Sequence, residues 1–200
     1  MNAQQYIKQL KQRLMQKLDI KDCFAEDRLF FMQHSKDKML AGVEQFDCAS
    51  QDKYFFLFDS TEILNSKDDC YGPVAMIKFM PNQKNKNDMF IRRLEFINDS
   101  CRGKGYASCM MKLFESYCSK NKYNAISGEF LPLHNVTEEV VENYYKRNGF
   151  AITKQGEQKM IYKVVKQPVQ TMVSGVTLVK NDYLQAQKNM QKDNNVEIEM

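Results

Sequence analysis

Residues 89–120 constrain the architecture of this chain more than any other stretch. The β-rich run "MFIRRLEFIN" (89–98) passes through "DSCRGKGYA" into a segment where Ala107, Met110, Phe114 and Tyr117 recur at spacings of 3, 4 and 3. That periodicity predicts a helix packed by one face, so a strand must enter a helix through a turn holding Gly103 and Gly105. Two glycines remove two Cβ atoms where a first helical turn leaves its N–H groups unpaired. Those donors and the positive end of the helix dipole suit a phosphate or pyrophosphate, and Arg102 and Lys104 add charge beside them. A plain strand-to-helix turn with two solvated cations explains the same residues.

Known phosphate motifs narrow the choice. The turn is not G-x-x-x-x-G-K-[ST], because no Ser or Thr follows Gly103-Lys104 to hold a magnesium ion, and it is not G-x-G-x-x-G.

The rest of the chain supplies the setting. Its 200 residues suit one domain with an extension, and 43% hydrophobic content is enough for a sizeable core. Lys and Arg exceed Asp and Glu by 29 to 25, a net charge of +4 with both signs interspersed. That balance tolerates an anionic small molecule but does not argue for a nucleic-acid partner. Cys23, Cys48, Cys70, Cys101, Cys109 and Cys118 lie far apart with no C-x-x-C pair, and there are two histidines. No metal site is expected, and the thiols read as reduced, which points to a cytoplasmic protein. Cys101 lies beside the turn, where a helix N-terminus lowers a thiol's pKa; a small buried side chain is the simpler reading. The first residues lack a signal-peptide core and no stretch approaches a membrane span, so no membrane partner is expected.

Residues 3–19 read as an amphipathic helix carrying Tyr6, Leu10, Leu14 and Leu18, with a basic face of Lys8, Lys11, Arg13 and Lys17. Packing on its own domain is the preferred reading; docking to a partner or a membrane surface is the other. In 27–46, "DRLFFMQ" reads as strand or helix start, and "KDKMLAGVEQF" looks helical with a flaw at Gly42. "KYFFLFD" (53–59) and "GPVAMIKFM" (72–80) join 89–98 as a meander separated by polar turns. A strand at 124–131, a helix at about 137–147 and two strands within 150–165 follow. Asn135 with Glu138, or Thr137 alone, caps the second helix; Val140, Val141, Tyr144 and Tyr145 form its apolar face; Gly149 ends it. Beyond Pro168, "TMVSGVTLVK" adds a strand and "NDYLQAQKNMQKDNN" a polar helix or tail. This order predicts an α/β fold with a mixed, mostly antiparallel sheet flanked by helices. Three parts result: an N-terminal helical segment at 1–52 that belongs to the same domain and shapes the acceptor side, a core at 53–166 and an extension at 167–200.

"RGKGYA" (102–107) resembles the Arg/Gln-x-x-Gly-x-Gly/Ala signature of the GNAT superfamily of N-acetyltransferases, and "NYYKRNGF" (143–150) resembles the ending of that family's later helix. The likeness covers roughly residues 53–166. It implies a GNAT-like acyl-CoA N-acyltransferase fold, acetyl-CoA as co-substrate and a primary amine as acceptor, either a small molecule or a protein lysine or N-terminus. It also implies that the backbone of Arg102, Gly103, Lys104, Gly105, Tyr106 and Ala107 holds the pyrophosphate. The strands 89–98 and 124–131 should splay to admit the pantetheine arm, with a backbone N–H near Ile97 facing the thioester carbonyl. Tyr145 would protonate the departing sulfur; Glu95, Glu129 or His134 would take the proton from the amine. Where family members often carry an asparagine for the pantetheine arm, this chain has Glu138. A non-catalytic acyl-CoA-binding sensor or scaffold is the alternative, and the chain is compatible with a homodimer.

Overall fold

The computed structural model describes residues 3–17, 29–35, 38–47, 52–65, 72–97, 103–130, 136–165, 171–173 and 176–179. A ten-stranded mixed sheet organises them. In chain order the elements are α1 (Ala3–Lys17), β1 (Leu29–Ser35), β2 (Lys38–Asp47), β3 (Asp52–Asp59) and α2 (Ser60–Asn65). Then come β4 (Ala75–Pro81), β5 (Asp88–Phe96), α3 (Tyr106–Lys120), β6 (Ala125–Glu129) and α4 (Glu138–Arg147). The series closes with β7 (Ala151–Gln155), β8 (Gln158–Val164), β9 (Thr171–Val173) and β10 (Val176–Val179). Strands lie in the order β7-β8-β6-β5-β4-β3-β2-β1-β10-β9. Every pairing is antiparallel except β5 with β6 and β1 with β10.

Two apolar cores lie on opposite faces of the sheet. On one, Ile7, Leu10 and Leu14 of α1 meet Leu29, Phe31, Ala41, Val43, Phe58 and Ile63. On the other, α3 and α4 pack over the larger core. The continuous run Leu29-Phe30-Phe31-Met32 follows from this, because alternate side chains enter alternate cores and none meets water. Helix α1 is thus packed on its own domain. Tyr6 donates to Ser60 Oγ at 2.8 Å, and Arg13 donates to the carbonyls of Ile63 and Leu64 at the end of α2.

The helical reading of 38–46 is corrected: these residues form β2, paired on both sides with β1 and β3. Leu40, Ala41 and Val43 are all fully buried, so the strand shows no alternation and mimics a short helix. Gly42 is no flaw there, because a Cβ would sit 2.5 Å from Cζ of Phe55. The turn expected at 60–65 is the short helix α2, and the strand expected after Pro168 is the pair β9–β10.

Helix α3 is buried beyond the single face its periodicity predicts. Tyr106, Cys109, Met111, Leu113 and Cys118 join Met110, Phe114 and Tyr117 inside, whereas Ala107 is only partly buried. The rings of Phe114 and Tyr117 pack edge-on against Phe79 at centroid distances of 5.0 and 5.4 Å. At the far end Lys122 N–H bonds Ser119 O and Tyr123 N–H bonds Cys118 O, closing the last carbonyls with Lys122 at φ 62°. Helix α4 closes the same way: Gly149, at φ 79°, donates to Lys146 O and Phe150 donates to Tyr145 O.

Candidate active site

The predicted turn and the predicted splay meet at one end of the sheet. β5 and β6 run parallel through Asp88↔Ala125 to Ile91↔Gly128 and pair no further. At the last pair the backbones approach closely: a Cβ on Gly128 would lie 2.8 Å from Ile91 O. One residue on, the β4–β5 register shifts, with Lys78 opposite Arg93 but Phe79 opposite Ile91. Arg92 is therefore the extra residue of a bulge, which bends β5 away as its pairing with β6 stops.

From there the chain reaches Gly103 and Gly105, both left-handed at φ 74° and 76°. Gly105 is the N-cap of α3, with no side-chain cap and no acidic residue in the first turn. Cys109 N–H bonds Gly105 O, and the three N–H groups before it precede the first intrahelical partner. Lys104 is exposed beside them. Tyr106 turns its ring inward and is 3% exposed, so only its backbone is presented to the turn. Arg102 lies outside the described residues, as do Cys101, His134 and Asn135.

The tyrosines of α4 divide sharply. Tyr144 donates to Ala107 O at 3.0 Å and ties α4 to the first turn of α3. Burial holds its phenol well above the usual tyrosine range. Tyr145 is 6% exposed, and its ring is held by Phe130, Tyr144 and Phe150. Among the described residues its hydroxyl has no partner. Burial alone pushes its pKa up to about 12, so the hydroxyl keeps its proton at neutral pH. Phe130 follows β6 directly, which places Tyr145 beside the mouth of the splay.

The two candidate carboxylates also differ. Glu95 is ion-paired with Arg93 on the same strand face. Glu129, at the end of β6, has no partner among the described residues. It lines a cleft of about 520 Å³ with Phe90 and Arg92 of β5, Ser127 of β6 and Met160 and Tyr162 of β8. Glu138 is engaged with Lys159, which also bonds Glu142 at 2.6 Å. Thr137 stands at the N-cap of α4 without a side-chain bond, and Val140 is 57% exposed, so the apolar face of α4 is Val141, Tyr144 and Tyr145.

One expected contact is corrected. The N–H of Ile97 donates to Val74 O at 3.1 Å, so it faces β4 and not the splay. The bulge at Arg92 inserts one residue, and every later N–H of β5 changes edge with it. The periodicity of the run gives no sign of that insertion.

A network missed in the sequence sits behind the turn. Lys38 donates to Asp59 Oδ2 at 2.6 Å and to the Tyr106 oxygen at 2.7 Å; Tyr106 in turn donates to Asp59 Oδ2 at 2.7 Å. Thr61 N–H donates to Asp59 Oδ1 at 2.9 Å. Burial opposes the charge on Asp59, but the hydrogen bonds from Lys38, Tyr106 and Thr61 outweigh it and hold the carboxyl below its usual range. Burial likewise opposes the charge on Lys38, and its bonds to Asp59 and Tyr106 reverse the balance. Among the described residues, no group of three or more His, Cys, Asp or Glu is placed to hold a metal, and no helix is long and apolar enough to cross a membrane.

No family profile and no curated protein matches the chain. Solved structures of acetyltransferases do superpose on it. AtaTR bound with AcCoA matches with 12% identity over 58% of this chain and 69% of its own, at a TM-score of 0.44. Tetrahymena GCN5 matches with 12% identity over 59% and 71%, at a TM-score of 0.42. Ard1 from Thermoplasma volcanium matches with 16% identity over 56% and 70%, at a TM-score of 0.41. At such overlaps, function has to be read from this chain's own residues.

Proposed function

We propose that this protein is an acetyl-CoA-dependent N-acetyltransferase of the GNAT type, acting on a primary amine. The observation that carries the reading is the convergence of three features at one sheet end: an uncapped, acid-free helix start behind two left-handed glycines, a splay between parallel strands, and a buried tyrosine hydroxyl without a partner among the described residues. Each fits a different part of the same co-substrate. The N–H groups of the N-cap Gly105 and of Tyr106 and Ala107 in the first turn, with Lys104 beside them, hold the pyrophosphate. The gap beyond Ile91 and Gly128 takes the pantetheine arm. The Tyr145 hydroxyl answers the sulfur.

Acetyl-CoA supplies an activated thioester; the chain supplies donors, a base and an acid. Successive N–H groups of a strand point to opposite edges, so with Ile97 turned to β4 the N–H of Phe96 is directed to the splay. It takes the role first expected of Ile97, donating to the thioester oxygen where negative charge develops. Glu129 accepts the amine proton, directly or through water. Glu95 is the weaker candidate because Arg93 already holds its carboxylate. Tyr145, protonated at neutral pH, donates to the departing thiolate. The amine enters by the cleft that Glu129 lines.

The test is calorimetric titration of the protein with acetyl-CoA, with Gly105→Glu alongside. Glutamate brings a side chain to a left-handed position and a negative charge to the cradle. Saturable binding to the parent, and its loss in a folded variant, is the expected result. A parent that takes up no acetyl-CoA would end the enzymatic reading.

A further inference from the structure

Among the described residues the start of α3 has no side-chain cap. Gly103 and Gly105 give the preceding turn its freedom. Yet a pyrophosphate cradle works only if its N–H groups point in one direction. The first residue after Gly105 supplies an answer. The phenol of Tyr106 lies 2.7 Å from both Lys38 Nζ and Asp59 Oδ2, and those two groups are 2.6 Å apart. Asp59 is 3% exposed, and its second oxygen accepts from Thr61 N–H. The same corner is fixed from behind, where Ser60 Oγ accepts from Tyr6 OH at 2.8 Å and from Met39 N–H at 3.0 Å.

A buried ionic network is a costly way to fill space, since apolar side chains of similar size do so without desolvating charge. What it adds is direction. Two hydrogen bonds hold the oxygen of Tyr106, a third locks its two partners to each other, and through the ring they orient the peptide groups at positions 105–107.

We propose that Lys38, Asp59 and Tyr106 form a positioning unit that aims the cradle, so that affinity for a pyrophosphate depends on residues of β2 and β3 that never touch it. This rests on the reading of the turn as a pyrophosphate site. The unit links the N-terminal strands to cofactor binding, a coupling that the three separated positions do not announce.

The experiment compares coenzyme A with pantetheine, which lacks the pyrophosphate, by titration into the full chain and into Tyr106→Phe, Asp59→Asn and Lys38→Met. In the parent the ratio of the two affinities reports the pyrophosphate together with the phosphoadenosine that pantetheine also lacks, so the cradle is read from how that ratio changes in the variants. Tyr106→Phe keeps the ring and its packing and is expected to lower that ratio about tenfold, a scale set by the penalty for misplaced binding groups. Pantetheine affinity should stay within about twofold in the same variant. Asp59→Asn and Lys38→Met should follow if folded, and Lys38→Arg should restore part of the ratio. An unchanged ratio in folded Tyr106→Phe overturns the proposal, as does an equal loss for both ligands, which would make the unit structural only. A parent that binds pantetheine and coenzyme A equally overturns it through the cradle itself, and that result is distinct from the variant outcomes.

Discussion

Helices α3 and α4 start on the same side of the sheet, and neither has a side-chain cap, yet their first turns are built with opposite electrostatics. α4 begins with Glu138 and Glu139, and Glu138 is ion-paired with Lys159 of β8. Its own carboxylates answer the positive end of its dipole. α3 has no acid in its first turn, two glycines before it and Lys104 in the approach. One helix answers its N-terminus from within the chain; the other, on the proposed reading, leaves it for an anion from outside. On that reading, the difference separates a helix start that only braces the fold from one that also binds an anion, while the α4 contribution to the site comes from Tyr145 further along. The helix ends make the contrast clearer, since both close their last carbonyls with the same paired backbone bonds. The open N-terminus of α3 is therefore a local feature and not loose construction.

The comparison can be broken most forcefully at the two tyrosines that α4 presents. Tyr145→Phe should lower turnover by about 10- to 1000-fold, the range of a lost general acid, with acetyl-CoA affinity nearly intact in a direct titration. Tyr144→Phe should instead cost about 1 kcal/mol of stability through the bond to Ala107 O, measured by denaturant unfolding, with a smaller effect on turnover. Equal turnover losses would show that α4 acts through packing alone.

A charge exchange between the two starts comes next. Lys104→Glu gives α3 the acid that α4 already has, and should weaken acetyl-CoA about tenfold, an effect of roughly 1.4 kcal/mol that shrinks as salt is raised. Glu139→Gln should leave cofactor binding unchanged and cost about 0.5 kcal/mol of stability. If both variants bind acetyl-CoA like the parent, the electrostatic contrast has no functional meaning.

The smallest effects concern the shared helix ends. Gly149→Ala forces a Cβ into a left-handed position and should cost about 1 kcal/mol, whereas Lys122→Gly relieves one and should gain up to about 1 kcal/mol. Thermal unfolding of the two variants reads the opposite signs directly.

Local chemistry made the proposed cradle legible. Gly103, Gly105 and the helix after them are contiguous, and so are Tyr144, Tyr145 and Gly149, so short-range rules reach them. β2 escaped because burial on both faces erased the alternation by which a strand is recognised, and Gly42 looked like a defect until Phe55 was placed against it. The donor expected at Ile97 failed for another reason. A one-residue bulge at Arg92 leaves the composition of the run untouched but reverses which neighbour each later N–H faces. The sequence also could not rank Glu95 against Glu129, since the choice depends on which carboxylate Arg93 holds.

By itself, then, the sequence determined the elements that obey local periodicity and the turn whose backbone geometry only glycine adopts freely. The tertiary structure decided what depends on contacts across long separations. It spent the Tyr144 hydroxyl and left that of Tyr145 without a partner among the described residues, turned Ile97 toward β4, and joined Lys38, Asp59 and Tyr106 behind the turn. The physical reason is the range of each force: dihedral preference acts within a few residues, while a hydrogen bond or a buried charge pair needs the partner that only the folded chain brings within about 3 Å.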